Sequence, residues 1–173
     1  MTDISRRSFA TLCAAAAGAA RLVAQSPPAA APAGADEKLQ SEFLLDLILE
    51  TQPANNVGSP GVNRVVVPVT GGTFEGPKLK GTVVGPGGDW LVRRPDGSSI
   101  LDVRILLQTD DSQKIYMTYR GISYTPQGGT QYWRIVPVFE TGADKYGWLN
   151  NVVAVGVHRT LPGKVAYRIY QIL

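Results

Sequence analysis

Apolar and polar residues alternate with a period of two along most of the chain after residue 36. In 43–49, Phe43, Leu45, Leu47 and Leu49 fall on one face, while Asp46 and the following Glu50 fall on the other; Leu44 and Ile48 blur the alternation. Strands give this pattern because successive side chains point to opposite faces, and a short helix is the competing reading for this one stretch. The β-branched run 65–69 is interrupted by Pro68, which suits an edge position or a bulge. Further strand-like runs occupy 79–84, 90–93, 100–107, 115–122, 132–139, 152–158 and 165–172. Gly85-Pro86-Gly87-Gly88, Asp110-Asp111-Ser112, Pro126-Gln127-Gly128-Gly129 and Leu161-Pro162-Gly163 separate them. Asp96-Gly97, between 90–93 and 100–107, is a hairpin signal, because glycine adopts positive φ without steric cost. Those two runs are predicted to pair antiparallel.

About 8–10 short strands without a long helix-period segment indicate an all-β domain, a sandwich or a barrel. A single antiparallel β-barrel is the expectation, and at about eight strands its interior holds either packed side chains or one small ligand. No internal repeat or second domain is visible.

The N-terminal segment reads differently. Ser5-Arg6-Arg7-Ser8-Phe9 precedes an alanine-rich run through Ala20, the pattern of a twin-arginine export signal. Cleavage after Ala24 or after Ala35 satisfies the small-residue rule, and 26–35 is a Pro/Ala-rich linker without apolar periodicity. The expected organisation is a signal and linker over 1–35 and a barrel domain over 36–173, periplasmic or secreted. Cys13, the single cysteine, lies within the signal, so the exported chain has no thiol for a disulfide, a nucleophile or a zinc site.

Charge changes with the signal. The full chain carries 17 basic and 14 acidic residues, and removing Arg6, Arg7, Arg21 and Asp3 leaves a net charge of +1 without a basic cluster. Nucleic-acid binding therefore has no support. Beyond the signal no apolar run approaches a membrane span, so the exported domain is expected to be soluble. His158, the single histidine, has no second histidine with which to build a metal site, and no Ser-His-Asp arrangement can be argued. No residue set calls for a cofactor, and for a metal only a carboxylate-built site stays open.

The segment Thr70-Gly71-Gly72-Thr73-Phe74-Glu75-Gly76-Pro77 puts one acid among glycines, with Leu79, Gly81 and Asp89-Trp90 beyond it. Arg94-Pro95-Asp96-Gly97, Leu101-Asp102-Val103-Arg104, Gln108-Thr109-Asp110-Asp111, Ile115-Tyr116, Arg120-Gly121, Phe139-Glu140-Thr141 and Tyr146-Gly147-Trp148-Leu149-Asn150 follow. In combination these motifs resemble the domain of unknown function 3237, also called uncharacterised protein family 0311, over roughly residues 40 to 172. The resemblance implies a barrel of lipocalin or calycin type and leaves the reaction open.

Within these motifs Glu75 is the leading acid or base, with Thr73 and Thr70 as hydrogen-bond donors beside it. Asp102 and Arg104 lie two apart on a predicted strand, opposite Leu101, Val103 and Ile105. They form either a solvated outer face or a pair inside the barrel that orients a polar ligand. Trp90, Tyr116 and Trp148 are candidate pocket walls or core, Asn150 a polar anchor, and Arg120 a carboxylate partner or a surface residue. Glu75, Asp102 and Arg104 are expected to converge on one pocket. Two functions follow: binding of a small, partly apolar molecule, or cofactor-independent lyase, isomerase or cyclase chemistry with Glu75 or Asp102 moving a proton. No motif specifies the ligand or the oligomeric state.

Overall fold

The computed structural model describes residues 38–58 and 60–173, so the expected signal and linker lie outside the described residues. Nearly every period-two run is a strand: β1 (Ser41–Thr51), β2 (Asn55–Asn56), β3 (Asn63–Glu75), β4 (Lys80–Arg93), β5 (Ser99–Thr109), β6 (Lys114–Tyr124), β7 (Tyr132–Glu140), β8 (Ala154–Leu161) and β9 (Lys164–Ile172). A 3-10 segment, Asp144–Asn151, precedes β8. Each strand from β3 to β9 pairs antiparallel with the next, and β1 closes the circle by pairing with both β9 and β3. The result is a closed eight-stranded barrel, with β2 a short extension along β3. The region 43–49 is strand, which decides against the helix.

Alternation fixes what faces inward. Leu45, Leu47, Leu49, Val83, Val103, Ile105, Leu107, Ile115, Met117, Ile135, Phe139 and Ile169 are all buried, and all carry odd numbers. The predicted hairpin is present: the Arg94 N–H donates to the Ser98 carbonyl, and Gly97 sits at φ 83°. Runs 79–84 and 90–93, separate in the sequence reading, form one strand. A two-residue bulge against β5 between Val84 and Gly88 keeps the parity, so both halves present odd residues to the interior.

The glycine-rich segment is itself strand. β3 runs through Thr70 to Glu75 with a bulge between Val69 and Gly71, and that extra residue inverts the parity. Phe74 therefore enters the core, and Thr73 and Glu75 point outward. Gly72 is required for backbone reasons: φ is 144°, and a Cβ there would lie 2.1 Å from the Ile48 carbonyl oxygen.

One end of the barrel is closed by the 3-10 segment, whose Tyr146 and Leu149 join the core together with Leu79. At the other end the strand termini around Thr51, Arg93, Ser99 and Ser123 surround a cavity.

Candidate functional site

The cavity at the open end has a volume of about 250 Å³ and is mainly apolar, with Leu49, Val69, Leu91, Leu101 and Val165 in its wall. Its inward-facing polar groups come from four strands. Asp89 stands on β4, opposite Val103 of β5, which in turn faces Tyr119 of β6. Trp133 on β7 and Tyr167 on β9 complete the set. Their period-two register with Leu91, Met117, Ile135 and Ile169 turns all four inward.

Asp89 is 8% exposed. Its Oδ1 accepts the backbone N–H of Asp102 at 3.0 Å. Burial raises its pKa from 3.8 to about 6; the Asp102 N–H partly offsets this, and the Asp102 charge adds to it. A carboxyl poised there exchanges a proton near neutral pH, as a general acid or base requires.

Beside Asp89 the inner wall carries the Tyr119 and Tyr167 hydroxyls and the Trp133 N–H, while Thr51, Arg93, Ser99 and Ser123 ring the mouth. Burial, first, and then neighbouring groups including Tyr167 and the Asp89 charge raise the pKa of Tyr119 well above its ordinary value. Burial, first, and the Asp89 charge raise Tyr167, against a smaller opposing pull from the nearby Tyr119 hydroxyl and Trp133 N–H, neither of which is hydrogen-bonded to its oxygen. Both phenols stay protonated. The Tyr167 hydroxyl and Trp133 Nε1 are buried without a hydrogen-bond partner in the protein. Tyr119 and Tyr167 meet edge to face at 5.6 Å. His158 stacks on Trp133 at 4.1 Å and 8°, and burial lowers its pKa, so a neutral imidazole fixes the plane of the indole.

The residues singled out from sequence lie elsewhere. Asp102 and Arg104 project from the outer face of β5, forming an ion pair at 3.5 Å in contact with solvent. Expecting them inside was at odds with Leu101, Val103 and Ile105, which already claim the inner face. Trp90 and Tyr116 are 38% and 37% exposed on that same outer surface, and Arg104 lies over the Trp90 ring at 5.4 Å. With Thr118, Arg120, Val136 and Val138, the Asp102–Arg104 pair lines a shallow external groove. Glu75 and Thr73 are exposed on β3, outward because of the bulge, so Glu75 does not converge with Asp102 and Arg104 on an interior pocket. Trp148 packs partly against the core at the closed end, with Lys78 over its ring at 5.3 Å. Asn150 clamps Thr141, accepting its N–H at 2.8 Å and donating to its carbonyl at 2.9 Å. Among the described residues no cluster of three or more His, Cys, Asp or Glu has metal-binding geometry.

The sequence profile of the family described as "Protein of unknown function (DUF3237)" matches residues 39–172. The chain belongs to that family. A UPF0311 protein of Clostridium acetobutylicum is 30% identical over 122 residues, covering 63% of this chain and 77% of the relative. A hydroalkoxylation enzyme of Penicillium herquei is 33% identical over 117 residues, covering 66% of this chain and 71% of the relative. Among solved structures, a β-barrel-like protein from Acinetobacter baumannii AYE superimposes with a TM-score of 0.74 at 35% identity, covering 79% of this chain and 98% of that one. An enzyme from Penicillium herquei superimposes with a TM-score of 0.67 at 30% identity, covering 82% of this chain and 100% of that one.

Proposed function

We propose that the barrel binds a small, partly apolar molecule in its open-end cavity and acts on it by proton transfer, with Asp89 as acid and base. The observation that carries this reading is a buried carboxyl set in a mainly apolar wall and paired with no cation, although Arg93 stands at the cavity mouth. That environment keeps a proton available near neutral pH, and the surrounding aliphatic side chains favour a ligand with an apolar body. Glu75 and Asp102 are less suited to the role, since their side chains face away from the cavity.

The relative named for hydroalkoxylation supports a specific class of reaction. Hydroalkoxylation adds a hydroxyl group across a carbon–carbon double bond. In such a step the Asp89 carboxyl gives its proton to one alkene carbon, the hydroxyl oxygen bonds to the other, and the hydroxyl proton returns to the carboxylate. The double bond is consumed, a carbon–oxygen bond forms and Asp89 is regenerated. Reactant and product are isomers when both groups belong to one molecule, so the balance closes without an oxidant or reductant.

The test uses unsaturated alcohols and phenols capable of ring closure, incubated with the protein in D2O. The expected result is cyclic product carrying deuterium on carbon with wild type, and loss of product with Asp89→Asn while the same compounds still quench tryptophan fluorescence. Undiminished turnover in Asp89→Asn would remove the assigned role, and saturable binding without turnover in wild type would reduce the function to binding.

Export belongs to the same proposal and is supported by Arg6-Arg7 and the alanine-rich run after them. Exported protein is expected to have lost its first 24 or 35 residues. Replacing both arginines by lysine should retain the precursor in the cytoplasm; intact mass of each fraction decides.

A further inference from the structure

Two polar groups on the β7–β9 side of the cavity have no protein partner. The Trp133 indole can only donate, and its Nε1 is buried without a protein partner. The Tyr167 hydroxyl is also buried without a partner, on a residue 1% exposed. Turning the Trp133 N–H onto the Tyr167 oxygen would satisfy the indole, yet the Tyr167 hydrogen would still need an acceptor. Asp89 is the one carboxylate in the cavity wall, and one of its oxygens already accepts the Asp102 N–H.

A buried donor without an acceptor destabilises the fold, because it has given up its hydrogen bond to water for nothing. Here two such donors stand together on residues that line the cavity, and both are held by aromatic neighbours. Trp133 lies flat against His158, and its ring meets Tyr167 edge to face at 5.9 Å. Tyr119 also meets Tyr167 edge to face. Rigid, unpaired and protonated donors in a water-poor site are suited to hold an acceptor oxygen and to stabilise negative charge collecting on it.

We infer that Tyr167 Oη and Trp133 Nε1 form an acceptor-oxygen subsite, and that the molecule held in the barrel presents a carbonyl or phenolic oxygen to them. The inference rests on the proposed cavity as the binding site and adds the ligand class. The oxygen sits at the β7–β9 side, and the reacting carbon faces Asp89. An apolar body carrying one such oxygen fits the aliphatic remainder of the wall. Tyr167 and Trp133 thereby select for oxygenated over purely hydrocarbon ligands.

The experiment compares 1-tetralone with tetralin, which share a carbon skeleton and differ in the carbonyl, by calorimetric titration of the full-length chain. Wild type should bind the ketone at least about tenfold more tightly than the hydrocarbon, as expected for two hydrogen bonds to a buried acceptor. Tyr167→Phe should cut that ratio by roughly 3–10-fold and leave tetralin affinity unchanged. The bound carbonyl stretch should move to lower frequency in wild type and return towards its unbound value in Tyr167→Phe. Trp133→Phe repeats the test should Tyr167→Phe fail to fold. Equal affinities for the two compounds in wild type, no binding of either, or a ratio unchanged in both variants would overturn the subsite. Loss of discrimination in Tyr167→Phe with undiminished turnover in Asp89→Asn would uphold the subsite while the proton-transfer reading failed. The converse result separates them equally well.

Discussion

Asp89 and Asp111 are the same residue type at opposite ends of one barrel, and they have been treated in opposite ways. Asp111, at the closed end, accepts from Lys145, Thr109 Oγ1 and Tyr146 Oη. Lys145 first, then Thr109 and Tyr146, hold its pKa far below the usual carboxylate range, and the same contact pushes Lys145 up to about 12. Asp89 has one backbone N–H, no cation and a pKa moved the other way. The closed end satisfies its polar groups and the open end leaves them unsatisfied. Stability accounts for the first arrangement; the second is a liability for folding and an asset for chemistry, as active sites commonly are.

That contrast breaks most sharply on activity. Asp89→Asn should lower turnover by about 10²–10⁴-fold, the usual contribution of a positioned acid or base, and Asp111→Asn should leave turnover near wild type while lowering Tm. Equal losses of activity in the two variants would erase the distinction between the ends. On stability the order reverses. Leu149→Ala removes a fully buried side chain from the closing segment and should cost about 2–5 kcal/mol in urea unfolding. A loss below about 1 kcal/mol would mean that the segment does not secure the closed end.

The pH dependence sharpens the comparison further. The pKa of Asp89 in the folded state, about 6, lies above its ordinary 3.8, so the folded chain binds the proton more tightly than the unfolded one. Its contribution is therefore full below pH 3.8 and is lost as pH rises through about 6, amounting to roughly 3 kcal/mol by neutral pH. Asp89→Asn should remove that decline, and so gain stability relative to wild type at pH 7–8. Asp46 and Asp111 have lowered pKa values and act in the opposite sense, losing their contribution as the solution becomes acidic. A wild type and Asp89→Asn difference that stays flat with pH would contradict the buried carboxyl. The smallest effect belongs to the outer wall. Arg104→Ala breaks a solvent-exposed ion pair and should cost about 0–1 kcal/mol by urea unfolding, without altering turnover.

Most of the fold was legible because alternation is a backbone property that survives without knowledge of partners. The hairpin at Asp96-Gly97, the strand at 43–49 and the barrel itself follow from it. The same alternation already held the site. Asp89 shares parity with Leu91, Tyr119 with Met117, Trp133 with Ile135 and Tyr167 with Ile169, and following that parity would have turned all four inward. Asp102 and Arg104 stand out as a charged pair, and their even numbers put them outside. Glu75 was the harder case. Its inversion depends on the bulge after Val69, and a bulge is set by how β3 pairs with β1, about which the local sequence is silent. The convergence of Asp89 with Tyr167 likewise requires the closed circle of strands.

The pairing of β1 with β9 carries a kinetic consequence. Gln171 donates to Glu42 across 129 residues of sequence. Until β9 has been synthesised and has found β1, the barrel has two raw sheet edges and an interior open along its length. Folding is then limited by the search for that distant closure, and belongs with the slow, high-contact-order β topologies that take about milliseconds to seconds. During this interval the exposed edges are the segments most prone to pair with a neighbouring chain. Expression at high concentration or temperature should therefore lose material to aggregation at this step, and a circular permutant that joins β9 directly to β1 should refold faster without any change to the cavity.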